Sequence, residues 1–203
     1  MKYIAHRVNT IEQLMQVPTH YGVELDLRDC GERLILAHDP FVEGEDFENY
    51  LRRYRHGTMI LNIKSERIEH RVLGLLRKYK IADYFFLDSS FPMIYHLSSL
   101  GEKNIALRFS EFEGMDTVRA MAGKVRWLWV DCFTKAPISR DIYDEAKSFG
   151  MNLCFVSPEL QGRDADIEAY AQIFRDEGIV FDAICTKDYN VERWEGVSAL
   201  CLK

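Results

Sequence analysis

No apolar run in this sequence approaches the roughly 20 residues that cross a bilayer, so no membrane-spanning helix is expected. The opening stretch, MKYIAHRVNT, is broken by His6 and Arg7 before a signal-peptide core can form. A basic surplus is missing as well. Lysine and arginine number 26 against 32 acids, a formal charge of −6, which argues against a dedicated nucleic-acid binder. No C-x-x-C pair or Cys/His cluster with zinc spacing occurs. The five cysteines (Cys30, Cys132, Cys154, Cys185 and Cys201) are odd in number, and three lie in apolar strand-like runs. There a reduced thiol packs as a small hydrophobe, so a reducing, cytoplasmic compartment is expected. No linker or low-complexity tract divides the chain, and 203 residues, 47% of them hydrophobic, suit one domain over 1–203.

What is present is an alternation. Short β-rich runs, KYIAH (2–6), VELDLR (23–28), MILNIK (59–64), YFFLDS (84–89), NIALRF (104–109), RWLWVD (126–131), NLCFVS (152–157) and DAICTK (182–187), are separated by amphipathic segments. Several runs are apolar on both faces, as parallel strands covered by helices require. TIEQLMQV opens with Thr10 and has Gln13 three residues on, a capping-box spacing. One further run, RLILAH (33–38), follows the second strand after CGE, too short for a crossover, and predicts a hairpin. Eight βα units with a β-hairpin inserted after the second strand predict an α/β chain folded as a compact (β/α)₈ TIM barrel. An open doubly wound sheet is the alternative.

Active sites of such barrels gather where the strands end. Strand alternation turns i and i+2 to one side. It pairs Ile4 with His6, Glu24 with Asp26, and Ile60 with Asn62 and Lys64; in the hairpin arm Leu34, Leu36 and His38 share a side. An inward acid in a packed barrel needs a partner or a cation. Two acids side by side with nothing basic between them point to a bound metal.

The ordered set HR (6–7), NT (9–10), GVELDLR (22–28), LAHDP (36–40) and LNIK (61–64) resembles the glycerophosphodiester phosphodiesterase family, which belongs to the phospholipase-C-like phosphodiesterases. LDSSFP (87–92) and DAICTKDY (182–189) extend the resemblance more faintly. It implies a TIM barrel in which His6 and His38 are paired acid–base catalysts, Glu24 and Asp26 are metal ligands, and Arg7 and Lys64 contact the phosphate. The all-oxygen set would take a hard cation, Mg²⁺ or Ca²⁺, and the partner would be a small phosphodiester.

The chain departs from that pattern twice. Asn62 stands where the family has a third acidic ligand, a change that weakens Mg²⁺ binding and that Ca²⁺ tolerates more readily. HRVNT is a compressed first loop without the family's glutamate. Asp88, Glu111 and Glu66 read as helix-cap or surface residues, and in SPELQGRDADIEAY (157–170) Asp164 or Asp166 is expected to cap a helix, with a phosphate cradle at Gly162 and Arg163 as the alternative. The expected function is a metal-dependent phosphodiesterase. The alternatives are a lyase-type enzyme forming a cyclic phosphate and a non-catalytic phosphate-ligand binding protein.

Overall fold

A computed structural model describes residues 1–199, with side chains to 195; Cys201 lies outside the described residues. In chain order the strands are β1 (Lys2–Ala5), β2 (Gly22–Cys30), β3 (Arg33–Leu36), β4 (Glu45–Asp46), β5 (Met59–Ile63), β6 (Tyr84–Leu87), β7 (Ala106–Phe109), β8 (Trp127–Val130), β9 (Asn152–Val156) and β10 (Ala183–Thr186). The helices are α1 (Ile11–Gln16), α2 (Phe47–Arg53), α3 (Glu69–Tyr79), α4 (Phe91–Ser99), α5 (Met115–Ala120), α6 (Arg140–Ser148), α7 (Ile167–Asp176) and α8 (Val191–Ala199). The contacts divide the chain into two compact units, Ala5–Ile105 and Met1–Ile4 with Ala106–Lys203.

In the unit Ala5–Ile105, β2 runs parallel to β5 and β5 parallel to β6, with Asp26 opposite Asn62 and Leu61 opposite Phe86. β2 also pairs antiparallel with β3, Cys30 opposite Arg33, across a turn in which Gly31 takes φ +60°. That left-handed value is cheap only for glycine. Val23, Leu25 and Leu27 of β2 are fully buried, and Glu24 and Asp26 alternate with them, so both faces of the strand are packed. On α2, Phe47, Tyr50 and Leu51 are buried. The helix begins at Phe47 rather than at the start of EDFENY, because Glu45 and Asp46 pair with β3 and Asp46 accepts the Asn49 N–H as a cap. Thr10 and Gln13 close a capping box on α1.

In the other unit, β7, β8, β9 and β10 form a parallel run, and the Lys2 N–H donates to the Asp182 carbonyl at 2.8 Å. Trp127 and Trp129 are buried on β8, and Phe155 packs against Tyr170, Phe174, Phe181 and Trp194. The aromatic strand is therefore core. Cys132, Cys154 and Cys185 are buried and Cys30 is half-buried, none of them in a disulfide. The segment 157–170 forms two 3₁₀ turns before α7. Asp166 occupies the N-cap position of that helix, but neither its side chain nor that of Asp164 makes a capping bond, because arginines claim both: Asp166 pairs with Arg163 at 2.7 Å and Asp164 with Arg193 at 2.9 Å. Arg163 also donates to Tyr170 and to the Cys132 carbonyl, so it serves packing here. Among the described residues no helix is long and apolar enough to cross a membrane.

Candidate active site

The polar cluster of the unit Ala5–Ile105 is built on β2. Alternation brings Glu24 and Asp26 to one face, and each is 1% exposed. Glu24 accepts from the Arg7 backbone N–H at 2.7 Å through Oε2 and from Asn62 Nδ2 at 2.9 Å through Oε1. Its neighbour Asp26 is clamped by Asn9, whose Nδ2 donates to Oδ2 at 2.9 Å while its Oδ1 accepts the Asp26 N–H at 2.8 Å. Burial first, then the charge of Asp26, pushes the Glu24 carboxyl up to about 7, against the opposing bonds from Asn62 and Arg7.

The loop after β1 reaches this pair through an unusual backbone. Arg7 holds φ +58°, a conformation that costs a residue with a β-carbon about 1–2 kcal/mol. The turn aims its N–H at Glu24, and the next N–H, of Val8, donates to the Glu24 carbonyl at 2.8 Å. Tyr50 Oη, from α2, donates to the Val8 carbonyl at 2.9 Å and fastens the loop from behind. His6 Nε2 then stands 3.8 Å from Glu24 Oε2, and Arg7 Nε stands 3.5 Å from Asp26 Oδ2.

Lys64, just past β5, places Nζ 3.6 Å from Asp26 Oδ1 and 3.5 Å from Asp88 Oδ2. Two sequence expectations change here. The acids do have basic neighbours, because Arg7 and Lys64 arrive from other strand ends. Asp88, at φ +61°, is an ion-pair partner of Lys64 rather than a mere cap or surface group. Glu111 does behave as a loop cap, accepting from the backbone of Phe133, Thr134 and Lys135.

The structure thus gathers His6, Arg7, Glu24, Asp26, Asn62 and Lys64. It leaves His38 differently placed. β3 ends at Leu36, and the His38 side chain, 43% exposed, bonds Asp39 Oδ1 through Nδ1 at 2.8 Å. That bond leads the causes that hold the Asp39 carboxyl below its ordinary value. The link between His38 and the cluster is Arg28, whose Nη2 and Nη1 donate to the His38 and Lys64 carbonyls, each at 2.8 Å. Sequence reasoning missed Asn9, Arg28 and Asp39 as site-builders. Arg28 carried a signal, being the next step of the alternation that joins Glu24 to Asp26.

Among the described residues no three His, Cys, Asp or Glu side chains form a metal-binding group. The donor set that does converge is two carboxylates and an amide. Asn62 Oδ1 is buried without a hydrogen-bond partner, an oxygen that a cation beside Glu24 and Asp26 would satisfy. The set therefore fits a hard dication.

A mixed α/β chain with parallel strands and the polar cluster at their ends belongs to a well-populated architecture, and comparison narrows it. No family model and no curated relative matches the sequence. Solved structures do match. A glycerophosphodiester phosphodiesterase from Agrobacterium tumefaciens shares 15% identity over 98% of this chain and 99% of its own, with a TM-score of 0.67. A glycerophosphoryl diester phosphodiesterase from Parabacteroides distasonis shares 15% identity over 98% of this chain and 86% of its own, with a TM-score of 0.65. The chain has the fold of the glycerophosphodiester phosphodiesterases.

Proposed function

We propose that residues 1–203 form one barrel domain of the glycerophosphodiester phosphodiesterase family. In this reading it hydrolyses a small, soluble glycerophosphodiester-like substrate with a divalent cation, Mg²⁺ or Ca²⁺. The observation that carries the reading is the convergence on buried Asp26 and Glu24 of two cations and an imidazole: Arg7 Nε at 3.5 Å, Lys64 Nζ at 3.6 Å and His6 Nε2 at 3.8 Å. The shared fold supports it. The buried cysteines, none in a disulfide among the described residues, support a reducing cytoplasm as its compartment.

Glu24, Asp26 and the unpartnered Asn62 oxygen would hold the cation, which when bound withdraws charge from a phosphoryl oxygen. The protein's own groups do the rest. Arg7 and Lys64 bind the phosphodiester anion, and both keep donor capacity beyond their contacts to Asp26. One imidazole takes a proton from the attacking water as its oxygen bonds to phosphorus. The other gives a proton to the alkoxide as the opposite P–O bond breaks. His6 Nε2 stands 3.8 Å from Glu24 Oε2. His38 is fixed by Asp39 at Nδ1, which leaves Nε2 for proton transfer.

Replacement of either histidine by glutamine should lower turnover of an aryl phosphodiester by about 10²–10⁴-fold with circular dichroism unchanged. Parental rates in either variant would overturn the assignment. One observation favours a second reading, a non-catalytic phosphate-ligand protein: Asn62 puts an N–H₂ group, not a third carboxylate, against Glu24. Tight phosphodiester binding with no product in ³¹P NMR would select it.

A further inference from the structure

A second constellation lies on the outer helices of the same unit. His70, in the first turn of α3, and His96, near the end of α4, are far apart in sequence and both exposed. Their Nε2 atoms nevertheless face each other at 3.2 Å, with ring centroids 5.3 Å apart and planes at 77°. They line a surface cavity of about 490 Å³ together with Glu66, Arg67, Ser90, Pro92 and Met93.

At metal–nitrogen distances of about 2.0–2.1 Å, two tetrahedral ligands lie about 3.3 Å apart. The observed separation is therefore already that of a two-imidazole chelate, and a metal ion could enter with little ring movement. Without metal, one ring must donate Nε2–H to the other, an N–H···N bond of ordinary strength. Glu66 supplies an oxygen in the same cavity, where its Oε2 lies 3.3 Å from Ser90 Oγ. Arg67 lines the cavity too and opposes a cation there, which keeps the site moderate in affinity.

We infer that His70 and His96 form a bidentate surface site, bridging α3 and α4, for a borderline first-row divalent cation such as Zn²⁺, Ni²⁺ or Cu²⁺. Imidazole suits those ions, whereas Mg²⁺ and Ca²⁺ prefer an all-oxygen set such as Glu24 and Asp26. Water would complete the shell. Occupancy would tie α3 to α4 and raise the unfolding temperature by binding the folded state.

The test uses the full chain with excess Mg²⁺ present, so that the carboxylate cluster is filled. Zn²⁺ is titrated calorimetrically, and Cu²⁺ binding is followed by electron paramagnetic resonance. The expected result is one saturable site with two-nitrogen hyperfine structure. His70→Gln or His96→Gln should each weaken it at least tenfold, and His6→Gln not at all. Undiminished binding in the His70→Gln/His96→Gln double variant, or a single-nitrogen signal in the parent protein, would overturn the assignment. The parental spectrum decides the question even if a variant fails to fold.

Discussion

Asn9 offers the sharpest perturbation of the cluster, because its amide meets Asp26 at two points with opposite polarity. Its Nδ2 donates to the carboxylate at 2.9 Å, and its Oδ1 accepts the backbone N–H at 2.8 Å. Asn9→Ala removes both. A bond to a charged acceptor contributes about 1.5–3 kcal/mol and a neutral one about 0.5–1.5. Water reaching the half-buried Asn9 position recovers part of the sum, leaving a loss of about 2.5 kcal/mol. For a chain of this size that lowers the melting temperature by about 5–10 °C. Asn9→Asp is closer in shape and should be worse. It retains the acceptor but sets an anionic oxygen against Asp26 Oδ2 where a donor stood. Two charges about 3 Å apart at an effective dielectric of about 20 repel by roughly 5 kcal/mol before the side chains relax. Thermal and urea unfolding at pH 8 compare the three proteins directly. If Asn9→Asp melts at or above Asn9→Ala, Asp26 is not the Asn9-clamped group on which the site's electrostatics depend.

Two further outcomes follow from the same geometry. Asn62→Glu places a third carboxylate beside Glu24 and Asp26, so Mg²⁺ should bind more tightly by calorimetry while the metal-free protein loses stability; unchanged affinity would remove residue 62 from the ligand set. Glu111 tests acid behaviour away from the cluster. Desolvation raises its carboxyl, but bonds from its own backbone and from Thr134 and Lys135 outweigh that and bring it down to about 2. A folded value below the unfolded one stabilises the protein above the unfolded pKa and is lost as pH falls from about 4.5 towards 2. After allowance for solvent screening, Glu111→Gln should cost about 1 kcal/mol at pH 6, with the gap to the parent closing at pH 3. A gap that stays constant between those pH values would contradict the assignment.

How far the site could be read from sequence depends on how local each relation is. Glu24 and Asp26 share a face because alternation within one strand is a two-residue property, and Asn62 with Lys64 follows the same rule on β5. The rule stops where the strand stops. His38 lies two residues beyond β3, and its side chain turns to Asp39 instead of continuing the Leu34–Leu36 face. Arg7 follows β1 with a positive φ, which lets one residue offer its backbone N–H to Glu24 and its guanidinium to Asp26; no periodicity encodes that turn. The two-residue strand β4 leaves no pattern at all, yet it sets where α2 begins. The absence of a basic residue between the two acids misled for a related reason. That spacing concerns neighbours in sequence, whereas charge is balanced in space, by Arg7 and Lys64 from two other strand ends. Those cations change the argument for a metal. Desolvation and repulsion on Asp26 are already partly relieved by the protein, so the case for a dication rests on what they leave unrelieved. What remains is a Glu24 carboxyl still pushed up to about 7 and a buried Asn62 oxygen still without a donor, on the residue whose amide nitrogen bonds Glu24.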